Sequence, residues 1–164
     1  MRRLPADILI YERFQRMIKI MFVCHGNICR STMAQFVMED LVRRAGREDE
    51  FIIDSAATSR EELGNSPHHG TVAKLREVGV PVGRHRARQM TRAEYADWDH
   101  IIYMDEENAW GLERILHGDP DGKVSRLLDW TDSPRDVADP WYTGDFDATY
   151  EDVLAGCKAL LAKL

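Results

Sequence analysis

Four short apolar stretches of this chain alternate with segments whose apolar residues recur every three or four positions. The apolar stretches predict buried parallel strands at residues 18–23, 51–53, 100–104 and 123–128. The periodic segments predict helices at residues 33–44, 68–78, 106–117 and 148–164, with a short capped helix at 91–98 and a long loop at 129–147. This alternation indicates one α/β domain, a three-layer α/β/α sandwich around a four-stranded parallel sheet.

Ligands bind such sheets beyond the carboxyl ends of the strands. Cys24, Asp54 and Asp105 follow the first three predicted strands, so we expect them at one edge of the sheet. This edge is where the sequence predicts a functional site.

Residues 1–16 precede the first predicted strand and are treated as an extension of uncertain structure. The segment carries charges that include Arg2 and Arg3, and four apolar residues could form one side of a short helix: Ile8, Leu9, Ile10 and Phe14. Two interpretations stay open, an upstream start-site artefact and a real arm that is packed or disordered. No function is assigned to it.

Composition narrows the class of protein. The 164 residues suit one domain, and 44% hydrophobic with 30% charged residues is ordinary for a globular protein. A net charge of −6 argues against nucleic acid or an anionic membrane as the main partner. With three cysteines, no signal peptide and no apolar run near 18 residues, we expect a cytoplasmic protein without a membrane span.

The loop after the first predicted strand carries the strongest chemical signal. Residues 23–31 read Val-Cys-His-Gly-Asn-Ile-Cys-Arg-Ser. Gly26 and Asn27 tolerate positive φ, so the loop can turn successive N–H groups inward as an anion nest. The next helix adds the positive end of its dipole, and Arg30 adds a planar fork for two phosphate oxygens. The same field favours the thiolate form of Cys24, so nucleophile and phosphate site share one loop.

This loop resembles the phosphate loop of the low-molecular-weight protein tyrosine phosphatases, in which a Cys, five residues, an Arg and a Ser or Thr follow an apolar strand. Two more segments match that family, Asp-Ser-Ala-Ala-Thr-Ser at 54–59 and Asp-Pro-Trp-Tyr at 139–142. The resemblance covers residues 18–163. It implies a Rossmann-like phosphatase domain over residues 17–164 that hydrolyses phosphotyrosine in proteins, and small aryl phosphates, through a phosphocysteine intermediate.

The resemblance also implies a role for each reacting side chain. Cys24 would be the nucleophile and Arg30 would bind the phosphate. Asp139 would donate a proton to the leaving group and then act as base on water. Trp141 and Tyr142 would offer flat faces to an aromatic ring. We expect no metal and no cofactor, because Arg30 and the loop N–H groups carry the transition-state charge.

Neighbouring residues are expected to bind the substrate or to support the loop. The expected substrate-binding residues are His25, Gly26, Asn27, Ile28, Cys29, Ser31, Trp141 and Tyr142. In the family, an Asn in a left-handed conformation bonds to the Ser that matches Ser55. Ser31 is expected to donate to the Cys24 sulfur, to cap the next helix, or to do both. Asp105 either orients pocket groups or is a solvated strand end.

Five further positions carry expectations of their own. Cys29 is either a small buried hydrophobe or, as the family uses this position, a thiol that traps oxidised Cys24 as a disulfide. Cys157 is expected in the core or on a face of the last helix. His85 lies near a histidine that braces the family's loop, but one extra residue nearby favours a surface position. His25 and Glu61 replace residues that are often apolar or aromatic in relatives, which leaves the preferred peptide open.

Three other functions compete. A protein-arginine phosphatase is the nearest, but those relatives carry Thr where Ile28 stands. Arsenate reductases need further cysteines between Cys29 and Cys157, and there are none. An anion-binding scaffold would be expected to lack one of the three reacting side chains. The expected partner is therefore a phosphotyrosine protein or aryl phosphate, and the expected state is a monomer or weak dimer.

Overall fold

The computed structural model describes residues 5–164, so Arg2, Arg3 and the predicted packing of the Phe14 side chain lie outside the described residues. The described chain forms a parallel sheet of four strands: β1 (Ile18–Cys24), β2 (Phe51–Ala57), β3 (His100–Tyr103) and β4 (Val124–Arg126). Their order is β2-β1-β3-β4, so the chain reverses its direction of winding at β1. The predicted fold class is confirmed.

Helices cover both faces of this sheet. Their bounds are α1 (Ala6–Arg16), α2 (Arg30–Arg44), α3 (His69–Glu77), α4 (Glu106–Leu116), α5 (Pro140–Thr143) and α6 (Phe146–Ala162), with single 3₁₀ turns at Glu48–Glu50, Ala93–Asp97 and Leu127–Trp130. Five of these six α-helices lie where the sequence predicts a helix or, for α1, allows one. The sixth, α5, lies inside the predicted loop.

Alternate residues of β1 build two apolar cores, one on each face of the sheet. Ile20 and Phe22 pack with residues of α2 and α6, whereas Met21 and Val23 pack with residues of α4. All four are fully buried. Because β1 is central and covered on both faces, its carboxyl end at Cys24 is a rigid platform for the loop that follows.

Several element boundaries differ from the sequence prediction, and β2 runs to Ala57 although its predicted end is residue 53. The predicted strand at 123–128 stops at Arg126, and a 3₁₀ turn carries Leu127 against α6, where a Cβ on Gly156 would lie only 2.4 Å from Leu127 Cγ. The predicted helix at 91–98 is only a 3₁₀ turn, although Glu94 does accept from the Thr91 N–H at 2.9 Å. Helix α2 begins at Arg30, three residues earlier than predicted.

The helix α1 forms within the described part of residues 1–16. Four consecutive apolar side chains on it are exposed: Ile8, Leu9, Ile10 and Tyr11. An ion pair joins Arg13 to Asp49 at 3.1 Å, with both side chains largely in solvent. Such pairs add little stability, so α1 is attached to the domain only weakly at this point.

Candidate active site

A cavity of about 330 Å³ opens at the carboxyl end of β1. It is lined by Cys24, His25, Gly26, Ile28, Cys29, Arg30, Glu61, Glu62, Glu107, Asp139, Trp141 and Tyr142. Nine of these were predicted as site residues. The predicted residues Asn27, Ser31, Ser55 and Asp105 lie behind the lining. Glu62 and Glu107 were missed, since a glutamate in a loop and another in a first helical turn carry no distinctive signal in the sequence.

Asp54 does not reach this edge, and the expectation that it would is wrong. It pairs with Met21 inside β2, three residues before the strand ends. Its carboxylate instead forms a salt bridge with Arg88 at 3.0 Å. The apolar run in the sequence was too short to show how far β2 extends.

Arg30 is buried at the start of α2 and joins three parts of the site. Its Nη1 donates to Asp105 Oδ2 at 2.6 Å and to the Val137 carbonyl at 3.2 Å, while Nη2 donates to Asp139 Oδ2 at 3.2 Å. Burial lowers the pKa of Arg30, but the charges at Cys24, Asp105 and Asp139 outweigh it, so the pKa is raised overall. Arg30 is therefore a permanent cation at the cavity floor.

Asp105 holds Arg30 from a fixed position. Its Oδ1 accepts from the Asn108 N–H at 2.9 Å, and Asn108 Oδ1 accepts from the Asp105 N–H at 3.1 Å. This reciprocal capping box fixes the carboxylate at the start of α4. Of the two predicted alternatives for Asp105, the one that orients pocket groups matches these contacts.

Asn27 bends the phosphate loop with φ of 60°, the left-handed conformation that Asn tolerates. Gly26 is not among the described residues with positive φ. Its small size matters instead, because a Cβ there would lie 3.2 Å from Glu62 Cγ. No side chain caps the first turn of α2, which leaves its N–H groups available to an anion in the cavity.

The side chain of Asn27 has a defined hydrogen-bond direction. Its Oδ1 accepts from the Arg88 backbone N–H at 3.2 Å, which identifies this atom as the oxygen. The two hydrogens on Nδ2 then go to Ser31 Oγ at 2.8 Å and Ser55 Oγ at 2.9 Å. Because Nδ2 occupies an acceptor site on each serine, each hydroxyl keeps its own hydrogen for another partner.

Those two hydroxyl hydrogens complete the network. Ser55 donates to Gln35 Oε1 at 2.6 Å. Cys24 Sγ lies 3.1 Å from Ser31 Oγ; a thiol at Cys24 donates to this oxygen, whereas a thiolate accepts the Ser31 hydrogen. A hydrogen bond from Ser31 stabilises a thiolate at Cys24. Gln35 was not predicted, although a polar residue on the buried face of α2 is a signal in the sequence.

His85 braces this network, so the preferred surface interpretation is wrong. Its side chain is only 8% exposed, and its Nε2 lies 2.7 Å from Asn27 Oδ1. Because that oxygen only accepts, Nε2 must carry the hydrogen. Burial lowers the pKa of His85, although the charge of Asp54 acts in the opposite direction. The lowered pKa favours this neutral tautomer near pH 7.

Asp139 faces the cavity from the amino end of α5. Its Oδ1 accepts from the Trp141 N–H at 3.0 Å as an N-cap, with Pro140 at the first helical position. Its Oδ2 accepts from Arg30. Asp-Pro therefore starts a helical turn, and the same carboxylate also reaches the cavity floor.

The lining of the cavity includes exposed aromatic rings and a polar pair. Trp141 and Tyr142 are 64% and 79% exposed, and the Trp141 ring makes an edge contact with His68 at 6.2 Å. His25 Nε2 lies 2.9 Å from Glu61 Oε2. The rim thus offers flat faces to an aromatic group and a polar pair beside it.

The other two cysteines are buried thiols. Burial, with the charges of Cys24 and Asp139, raises the pKa of Cys29 to about 12. Burial alone raises the pKa of Cys157, whose Sγ lies 3.8 Å from the Ala34 carbonyl in the core, as expected. Cys29 lines the cavity beside Cys24, and Cys157 does not.

Residues 5–164 contain neither a membrane-spanning helix nor a cluster of metal ligands. No helix there is long and apolar enough to cross a membrane. The same residues hold no group of three or more His, Cys, Asp and Glu side chains placed to hold a metal ion.

Comparisons with known proteins agree on one family. The protein-family model described as low molecular weight phosphotyrosine protein phosphatase matches residues 19–164. The low molecular weight protein-tyrosine-phosphatase YfkJ of Bacillus subtilis is 39% identical over 150 residues, which cover 90% of this chain and 96% of the relative. The rat low molecular weight phosphotyrosine protein phosphatase is 38% identical over 149 residues, 88% of this chain and 94% of the relative.

Solved structures agree with the sequence comparisons. The crystal structure of YfkJ has a TM-score of 0.86 and covers 90% of this chain and 94% of its own. The Streptococcus pyogenes low molecular weight protein tyrosine phosphatase has a TM-score of 0.81 at 38% identity, covering 90% and 93% of the two chains. The similarity therefore extends over the whole sheet and all the segments that line the cavity.

Proposed function

Because the chain belongs to the low molecular weight phosphotyrosine protein phosphatase family, we propose that it hydrolyses phosphotyrosine in proteins, and small aryl phosphates. The observation that carries this proposal is the convergence of Cys24, Arg30 and Asp139 on one cavity. These side chains come from the end of β1, the start of α2 and the start of α5. A nucleophile, an anion-binding cation and a carboxyl group at one point are what two-step phosphate transfer requires.

Binding of the phosphate dianion rearranges the partners of Arg30. The N–H groups at the start of α2 receive some phosphate oxygens, and the guanidinium receives others. In the structure, Arg30 Nη2 donates to Asp139 Oδ2. In the complex with substrate, this N–H donates to a phosphate oxygen instead of the carboxylate. The Asp139 carboxyl group is then released from Arg30 and faces the leaving oxygen. The acid is thereby prepared only when substrate is present.

In the first chemical step the Cys24 thiolate attacks phosphorus. A sulfur–phosphorus bond forms, the phosphorus–oxygen bond to the aryl group breaks, and Asp139 gives its proton to the departing oxygen. Arg30 and the N–H groups of the loop stabilise the charge on the transferring group. The products are a phenol and phosphocysteine.

In the second step water hydrolyses phosphocysteine. Asp139, now a carboxylate, removes a proton from the water as its oxygen bonds to phosphorus. The sulfur–phosphorus bond breaks, and Cys24 leaves as a thiolate that the Ser31 hydrogen stabilises. Phosphate then departs and Arg30 pairs with Asp139 again.

Selectivity follows from the shape of the site. The cavity places Cys24 at its floor and aromatic rings at its rim, so a long flat phosphorylated side chain reaches the sulfur better than a short serine ester. Ile28 lines the wall and offers no hydroxyl to position water for a phosphoramidate. This favours phosphotyrosine over phosphoarginine.

We place the enzyme in the reducing cytoplasm as a monomer or weak dimer.

The deciding experiment varies the leaving group in the parent and in Asp139→Asn. Tyrosine has a pKa of about 10, so its oxygen needs a proton as it leaves, and the variant should lose ~10²–10⁴-fold in kcat/KM for phosphotyrosine. A much more acidic phenol needs little help and should lose far less. Comparison of kcat/KM isolates the steps up to phosphocysteine.

Controls separate the parts of this proposal. Cys24→Ser should bind vanadate without turnover, and remaining activity would remove Cys24 as nucleophile. Equal losses for all leaving groups in Asp139→Asn would exclude proton donation by Asp139. Faster turnover of phosphoarginine or arsenate than of phosphotyrosine would overturn the substrate assignment.

A further inference from the structure

Asp152 on α6 is a buried carboxylate that takes no part in the chemistry proposed above. It is only 7% exposed. Both of its oxygens accept from Arg135, at 2.5 and 2.9 Å, so its charge is paired in a bidentate fork. Burying a carboxylate is costly even when it is paired, and an apolar residue would fill this position of α6 at lower cost. Packing of α6 alone therefore does not explain why a carboxylate is buried at position 152.

Asp152 and Thr149 together hold the peptide groups of Ala138, the residue before Asp139. Asp152 Oδ2 accepts from the Ala138 N–H at 3.1 Å. One turn earlier on α6, the fully buried Thr149 donates through Oγ1 to the Ala138 carbonyl at 2.8 Å. Both polar groups of this backbone residue are thus bound by side chains of one rigid helix.

The residues on either side of Asp139 are restrained as well. The Val137 N–H donates to the Met104 carbonyl at 2.9 Å, next to the end of β3. Pro140 is buried and its ring fixes φ. The backbone that carries Asp139 therefore has little freedom, although it belongs to a long connection between β4 and α6.

We propose that Asp152 and Thr149 are positioning residues for the general acid: they fix the Ala138 backbone so that Asp139 meets the leaving oxygen. This inference rests on the proposed function, because it assumes that Asp139 donates a proton. Arg135 neutralises Asp152 and keeps it directed at Ala138. A misplacement of about 1 Å can cost ~10²-fold in rate, so a loose acid would be a poor one.

The test compares Asp152→Ala and Thr149→Val with the parent on aryl phosphates of different leaving-group pKa. For phosphotyrosine, Asp152→Ala should lower kcat/KM by about 10- to 100-fold, and Thr149→Val by less. For an aryl phosphate whose phenol is much more acidic, both should lose at most a few fold. A residue that only stabilises the fold would not sort substrates by leaving group.

The same substitution is then made in Asp139→Asn. Without a proton to deliver, a misplaced carboxamide matters little, so Asp152→Ala should lower kcat/KM by no more than about twofold in this background. The matched control is Asp147→Ala on the same helix α6, which removes an exposed carboxylate that pairs with Lys74 of α3 at 2.7 Å and does not contact Ala138. It should leave the leaving-group dependence unchanged.

Each result decides between the two proposals. If Asp139→Asn depends on the leaving group but Asp152→Ala and Thr149→Val lower all rates equally, the positioning role is wrong and the proposed function stands. A full additional loss in the Asp139→Asn background also overturns it. If Asp139→Asn itself shows no dependence on the leaving group, Asp139 is not the general acid, and that part of the proposed function is wrong. Should Asp152→Ala not fold, Thr149→Val decides alone, because it removes a single hydroxyl.

Discussion

The Cys29 thiol lies in the cavity wall beside Cys24 but differs from it chemically. Burial and the nearby negative charges raise its pKa to about 12, so it is protonated at neutral pH and does not compete for phosphate esters. Oxidation of Cys24 to a sulfenic acid removes one of those charges. Cys29 can then lose its proton, attack the Cys24 sulfur and release water, which closes a disulfide.

We predict that mild peroxide inactivates the enzyme reversibly through a Cys24–Cys29 disulfide. Below the pKa of Cys29 its thiolate fraction grows about tenfold per pH unit, so disulfide closure should be faster at higher pH. Mass spectrometry of samples trapped across a pH series would measure it. In Cys29→Ser, activity should be harder to recover with thiol. Equal recovery in both proteins would exclude a protective role for Cys29.

At the scale of elements, the segment after α3 supplies His85 to the phosphate loop. Burial places the pKa of His85 below the ordinary 6.5 of an exposed histidine. The unfolded chain therefore binds a proton more readily than the folded one as pH falls below about 6.5. Stability from this contact is fully present above that pH and is lost as pH falls toward the folded pKa.

We therefore predict a pH-dependent difference between the parent and His85→Asn. The parent should have the larger free energy of unfolding at pH 7.5, and its advantage should shrink as the pH is lowered to 5. Urea unfolding at a series of pH values measures this difference. An advantage that stays constant over the series would show that the pKa of His85 is the same in the folded and unfolded states.

Much of the fold could be predicted because its elements have regular periods. The apolar runs around Phe22 and Ile102 and the three-to-four spacing from Met33 onward identify strands and helices, and the resemblance to the family is confirmed. Boundaries were harder. Nothing in the sequence marks the start of α2 at Arg30, because phosphate-binding N–H groups replace the side-chain cap that normally signals a helix start.

The candidate site was predictable where it is continuous in sequence. The phosphate loop and the Asp139 segment each carry a motif, and both line the cavity. His85 has no periodic context, and its contact with Asn27 spans 58 positions of the chain. Asp152 looks like any polar residue of a surface helix. Such contacts depend on how α6 and the segment 80–90 pack, which local patterns do not encode.

At the scale of the whole molecule, α1 lies outside the part that builds the cavity. We predict that a protein beginning at Met17 keeps kcat/KM within about twofold of the parent, because terminal segments with few contacts are tolerant of removal. The exposed Arg13–Asp49 pair should contribute little to stability. Parallel rate and thermal unfolding measurements on both proteins test this. A large fall in rate would mean that α1 acts on the cavity.

The hydrogen bonds that run from Asn27 through Ser31 to a Cys24 thiolate all point toward the sulfur. The amide nitrogen of Asn27 alone determines this direction. Asn27→Asp exchanges an amide nitrogen for an oxygen of nearly the same size, yet aspartate can only accept. Ser31 would turn its hydrogen away from the sulfur, and a second anion would face the thiolate. We predict a folded protein whose kcat/KM falls at least tenfold for every leaving group alike. Electron density at ordinary resolution would barely distinguish the two side chains, whereas a steady-state assay would.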